Sequence, residues 1–161
     1  MVHAIDVQEA ALKSTAVRLT AAGISWAMHR LTASSPLPED GTGSVVRLIQ
    51  GDHAELEGIV PEAHRGRVAA VAFNLGYLPG GDKLITTAAD RTVRAVEAAV
   101  GLLRPGGALS ILAYRGHEGG ADEYAAVERC LRDLTDAIQS TEVIRGSDAD
   151  DSPILLFSRK R

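Results

Sequence analysis

Short apolar runs alternate with stretches of helical period along this sequence, and that order of strand and helix encodes a mainly parallel sheet with crossover helices. "VHAI" (2–5), "VVRLIQ" (45–50), "RVAAVAF" (67–73) and "ALSILAY" (108–114) read as strands. The run at 67–73 is apolar at every second and intervening position, which predicts a strand covered on both faces. Between the first two runs, "VQEAALKSTAVRLTAAG" places Leu12, Ala16 and Leu19 on one helical face and Gly23 at its stop. Residues 25–44 have no period and are rich in Ser, Pro, Gly and Thr, so they read as a long surface loop anchored by Trp26 and Met28.

A further helix follows Thr87, whose spacing to Asp90 is that of a capping box, with Val93, Val96, Val100 and Leu103 as its stripe and "RPGG" as its stop. Tyr124, Val127, Leu131, Leu134 and Ile138 mark the buried face of another helix. At ~2 kcal/mol per buried side chain, such a face contributes on the order of 10 kcal/mol before entropy is subtracted. "STEVIRG" and "ILLFSRKR" close the chain as an antiparallel hairpin, giving an α/β sandwich with one reversed edge strand.

With 161 residues, 45% of them hydrophobic and 24% charged, a single domain, 1–161, is expected, and no window holds the ~18 apolar residues of a membrane span. The first residues lack the order of a secretory signal, so a cytoplasmic location is expected. A lone Cys130 forms no internal disulfide and has no neighbours at metal-ligand spacing, so no metal is expected, and its place beside an apolar helix face indicates packing. The net charge of −4 argues against broad non-specific nucleic-acid binding but permits a local cationic face for a structured RNA. Open sheet edges make a homodimer an expectation as well.

In open sheets of this kind, ligands sit beyond the carboxyl ends of the strands, and polar residues gather there. Asp6 follows the first strand, where an acidic side chain either takes ribose hydroxyls or caps the next helix. Asp52 and His53 follow the second, as a base edge or as another cap. His117, in "RGHEGG", is a substrate contact or a turn residue. The most specific string is "AFNLGYLPGGDKLITT" (72–87). An amide oxygen at Asn74 accepts an N–H of a neutral amine and aims its lone pair at a sulfonium methyl, while Tyr77 supports a flat base. Pro79, Gly80 and Gly81 turn the backbone, Asp82 takes or shares the amine proton, and Lys83 suits a phosphate.

These strings, with "VHAIDVQEAAL" before and "YRGHEGG" after them, resemble the class I methyltransferases that carry the rRNA methylase name, in order over nearly the whole chain. The resemblance implies a Rossmann-like α/β sandwich, S-adenosylmethionine as cofactor, and the aminomethyl group of the wobble uridine of tRNA as substrate. It assigns Asp6, Gln8, Asp52, His53 and Asn74 to the cofactor, Asn74, Tyr77 and Asp82 to catalysis, and Pro79, Gly80, Gly81, Lys83 and His117 to the substrate.

The resemblance also implies a first strand and a glycine-rich cofactor loop ahead of Val2, which this sequence does not include. The chain is therefore expected to be N-terminally truncated, leaving open edges on the strands at 2–5 and 67–73. Two alternatives stand beside this reading: a non-catalytic binding or interaction module, and an enzyme of the same chemistry acting on an exocyclic amine of adenine, since Asn74 and Tyr77 would serve either nitrogen.

Overall fold

The computed structural model describes residues 1–30, 45–76, 88–147, 149 and 152–161. The chain falls into two compact units, Met1–Ala63 and His64–Arg161.

In the first unit, β1 (Val2–Asp6), β2 (Trp26–Arg30) and β3 (Val46–Gln50) form a parallel sheet in the order β1-β3-β2. Helix α1 (Glu9–Ala21) buries Leu12 and Ala16 against Val46 and Leu48, and Ala4, Leu19 and Trp26 pack around them. It ends as the sequence predicts. Gly23 adopts φ +68°, its N–H reaches Thr20 O at 3.0 Å, and the next N–H, on Ile24, reaches Leu19 O at 2.9 Å. This is a Schellman stop, which only a residue comfortable in the left-handed region terminates without strain. A short helix, α2 (Leu56–Ile59), follows β3.

β2 replaces the first part of the loop expected at 25–44; residues 31–44 lie outside the described residues. Trp26, Met28 and Arg30 alternate with Ala27 and His29, and the segment pairs in parallel with β3 from Trp26↔Val46 to Arg30↔Gln50. Serine, proline and glycine downstream had masked this two-residue period. Burial and the nearby Arg47 guanidinium hold the His29 imidazole below its ordinary pKa. Its protonation favours the unfolded chain, so stability is full above about pH 6.5 and is lost as the pH falls below it. Urea midpoints should drop between pH 7.5 and 5.5 in the wild type, and His29→Gln should lessen that drop; equal slopes would remove His29 as a cause.

The second unit carries β4 (Val68–Asn74), α3 (Ala89–Leu102), β5 (Leu103–Ala113), α4 (Gly120–Asp133), β6 (Glu142–Arg145) and β7 (Ile154–Arg159), with sheet order β4-β5-β7-β6. β4 and β5 are parallel, and β7 runs antiparallel to both β5 and β6. The hairpin is as expected, but the reversed strand is β7, inside the sheet, while β6 takes the edge. On one face, Leu109, Ile111 and Ala113 of β5 pair with Ser158, Leu156 and Ile154 of β7, all buried, and Val96, Ala99, Val127 and Leu131 of α3 and α4 are core residues too.

The two-sided cover expected for residues 67–73 is not what this chain has. Ala69, Ala70, Ala72 and Asn74 of β4 are exposed, and Ser110 and Leu112 of β5 are half-buried. Alanines fit a covered or an open face equally, so the apolar run could not decide between them. Among the described residues, β1 pairs only with β3 and β4 only with β5, so both strands expected to flank a gap are sheet edges.

Helix α3 begins at Ala89 with Ala88 as N-cap and no side-chain cap bond; Thr87 of the expected capping box lies outside the described residues. Its buried face is Thr92, Ala95, Val96, Ala99, Val100 and Leu102, while Val93 is half-buried. β5 starts at Leu103, so "RPGG" lies within the strand rather than after a turn of helix.

Candidate functional site

In the first unit, the carboxyl ends of the three strands carry a polar rim. Asp6 Oδ1 accepts the backbone N–H of Gln8 at 2.7 Å, and Gln8 is the N-cap residue of α1. Asp6 is therefore not the N-cap the sequence offered as an alternative: α1 has no side-chain cap bond, and one carboxylate oxygen of Asp6 instead closes a turn just ahead of the helix. Asp52 Oδ1 accepts the N–H of Ala54 at 2.9 Å and caps the short 3-10 turn that begins at His53. A shallow cavity of about 350 Å³ lies on the same rim, lined by Val7, Arg30, Gln50, Gly51 and Asp52. Asp6 ends the strand beside this cavity, and together the rim suits a nucleoside. Carboxylates at Asp6 and Asp52 accept hydroxyl and amino hydrogens, and Val7 offers apolar surface to a flat base.

In the second unit, Asn74 ends β4 opposite Leu112 with its side chain exposed. The ladder continues one step further, because Leu75, which is buried, donates its N–H to Leu112 O at 2.9 Å. Gly76 then turns the chain at φ +121°, in a region that L side chains rarely enter. A Cβ built on Gly76 would lie 3.5 Å from His117 Nε2 and 3.8 Å from the Tyr114 side chain. The "NLG" corner after β4 and the "RGHEGG" corner after β5 are therefore in contact. His117 Nδ1 lies 2.9 Å from Glu118 O, a carbonyl that can only accept, which sets Nδ1 as an N–H donor.

Gly120, the first residue of α4, closes this corner from the other side. A Cβ there would collide with Tyr114 O and lie 3.0 Å from His117 Nε2. The second unit thus brings together the two corners that carry Asn74 and His117, through the approach of Gly76 to the His117 ring. Tyr77, Pro79, Gly80, Gly81, Asp82 and Lys83 lie outside the described residues.

Two features of the structure escaped the sequence reading. Arg30 sits in the stretch taken for a loop, and the Trp26-Met28-Arg30 alternation was the signal for it. Glu123, 2% exposed, accepts a hydrogen bond from the hydroxyl of Thr92, itself fully buried, and joins the first turns of α4 and α3. Glu123 shares a helical stripe with Gly120 and Val127, a spacing that an apolar search passes over.

Cys130 is buried, and burial, helped by Glu97 and Asp133, pushes its thiol up to about 11, which suits packing and not nucleophilic chemistry. Of the C-terminal cations, Arg161 Nε donates to Thr135 O and Ile138 O, at 2.8 and 2.7 Å, and Arg159 Nη1 donates to Gly106 O at 3.2 Å. Both hold local structure.

The family described as "Putative rRNA methylase" matches residues 2–159. A chloroplastic tRNA (mnm(5)s(2)U34)-methyltransferase of Arabidopsis thaliana is 40% identical over 131 residues, which are 79% of this chain and 40% of that protein. The chain thus spans about 40% of the length of that relative. A crystal structure described as a "putative rRNA-methylase" from Clostridium thermocellum has a TM-score of 0.75 at 27% identity, covering 99% of this chain and 74% of that one. A methyltransferase structure from Streptococcus mutans, in complex with SAH, has a TM-score of 0.75 at 26% identity, covering 99% and 75%. These similarities agree with the α/β methyltransferase architecture.

Proposed function

The chain belongs to the rRNA methylase family, and from that premise we propose that it carries the cofactor's nucleoside site and the amine site of an S-adenosylmethionine-dependent RNA N-methyltransferase. The observation that carries this reading is the corner at Asn74 and Gly76, an exposed amide at a strand's carboxyl end beside a glycine turn packed on His117. A cap or a plain turn requires no amide there.

When bound, the cofactor supplies an electrophilic methyl on a sulfonium whose departure leaves a neutral thioether. The chain's own residues supply placement. Asp6 takes ribose hydroxyls, with Gln8 beside it, and Asp52 and His53 edge the base. The Asn74 amide oxygen accepts one N–H of a neutral amine and holds its lone pair on the line of attack, which is where most of the rate arises. In this reading Tyr77 supports the substrate base, Asp82 receives the proton released as nitrogen becomes four-bonded, Pro79, Gly80 and Gly81 bend around the substrate, and Lys83 meets a phosphate. His117 contacts the substrate from the second corner. The substrate proposed is the aminomethyl group of the tRNA wobble uridine, supported by the name of the Arabidopsis relative.

The test is mass spectrometry of nucleosides from tRNA lacking the terminal methyl, after incubation with this chain and labelled cofactor. Label on the wobble uridine is the expected result. Label on an adenine amine instead would replace the substrate, and S-adenosylhomocysteine binding without any transfer would favour the binding module.

A further inference from the structure

The last in-register row of the first unit's sheet reads Asp6, Gln50, Arg30 across β1, β3 and β2. Parallel strands lie ~4.8 Å apart, so this row spans ~10 Å, enough to follow a nucleoside from its ribose hydroxyls to the far edge of its base. Arg30 is delivered to the row by the strand that the sequence hides.

Its guanidinium is held on two sides. Nε donates to Gln50 Oε1 at 2.9 Å, and a terminal nitrogen stands 3.7 Å from Glu9 Oε2. The Gln50 amide is itself fixed, because Nε2 donates to Val7 O at 3.2 Å, which turns its oxygen toward Arg30. These bonds hold a cation on the wall of the 350 Å³ cavity that Asp52 also lines. One cavity therefore offers a fixed donor from Arg30 and an acceptor from Asp52.

We propose that Arg30 and Asp52 read the Watson–Crick edge of an adenine base in this cavity, Arg30 donating to ring N1 and Asp52 accepting from the 6-amino group. The proposal rests on the cofactor reading above and goes further, since it assigns base discrimination to a residue of β2. Guanine would invert both contacts, setting its O6 against the carboxylate and its N1–H against the guanidinium. Both mismatches count against guanine. The register matters to this role: a shift of one residue would turn Arg30 to the opposite face of the sheet.

Calorimetry on the chain with adenosine, 1-deazaadenosine, guanosine and S-adenosylhomocysteine tests this. Arg30→Ala should weaken adenosine and S-adenosylhomocysteine by about tenfold or more, the usual effect of losing a charge-assisted hydrogen bond. Binding of 1-deazaadenosine, which has no N1 acceptor, should be the same in wild type and variant. The Arg30 side chain is 67% exposed, so the thermal midpoint should stay put.

Equal losses for adenosine and 1-deazaadenosine would show that Arg30 only shapes the cavity and would overturn the proposal. Adenosine binding that persists under saturating S-adenosylhomocysteine would place the base in a different site and overturn it too. Unchanged S-adenosylhomocysteine binding by Arg30→Ala would sink the role of Arg30 and leave the cofactor reading intact; no binding by the wild type at all would remove both.

Discussion

Asn74→Ala is expected to lower methyl transfer by about a hundredfold or more while S-adenosylmethionine affinity stays within a few-fold. The side chain is exposed at the end of β4, and the backbone it stands on is secured by the Leu75–Leu112 bond. Truncation therefore costs little stability, and the loss falls on the alignment of the amine, where small misplacements are worth factors of this size. Rate constants from single-turnover transfer, set beside calorimetric affinities, separate the two quantities. A fully active variant would take Asn74 out of the mechanism, and a parallel loss of cofactor affinity would make it a cofactor ligand only.

Gly120→Val should cost about 2–3 kcal/mol of stability and cripple transfer as well. The first carbon of any side chain there meets the Tyr114 carbonyl, a backbone atom that cannot rotate away, and the His117 ring behind it. Relief requires β5's end and the start of α4 to separate, which pulls His117 off Gly76 and loosens the corner that presents Asn74. Gly101→Ala serves as the control, since a Cβ there meets nothing within 4 Å inside α3. It should be neutral or stabilise by about 0.5–1 kcal/mol. Urea unfolding of the two variants distinguishes them; matching midpoints would mean the Gly120 corner yields far more easily than its backbone contacts imply.

Local signals made most of the fold readable in advance. The apolar period of α1 with its glycine stop, the strands at 2–5, 45–50 and 67–73, and the terminal hairpin all follow from residue spacing, because a helix or strand that buries one face must repeat apolar residues at its own period. The candidate chemistry was legible for the same reason: Asp6, Asp52, Asn74 and His117 each follow an apolar run, and strand ends are where side chains leave the core.

Spacing could not settle what depends on neighbours distant in sequence. That β4 leaves alanines exposed, that β7 lies inside its sheet while β6 takes the edge, and that Glu123 is buried beside Thr92 are outcomes of pairing and packing. Arg30 is the sharpest case. In sequence it is one cation in a polar stretch, and only hydrogen bonding of β2 to β3 sets it in a row with Gln50 and Asp6, since register is decided between strands and not within them.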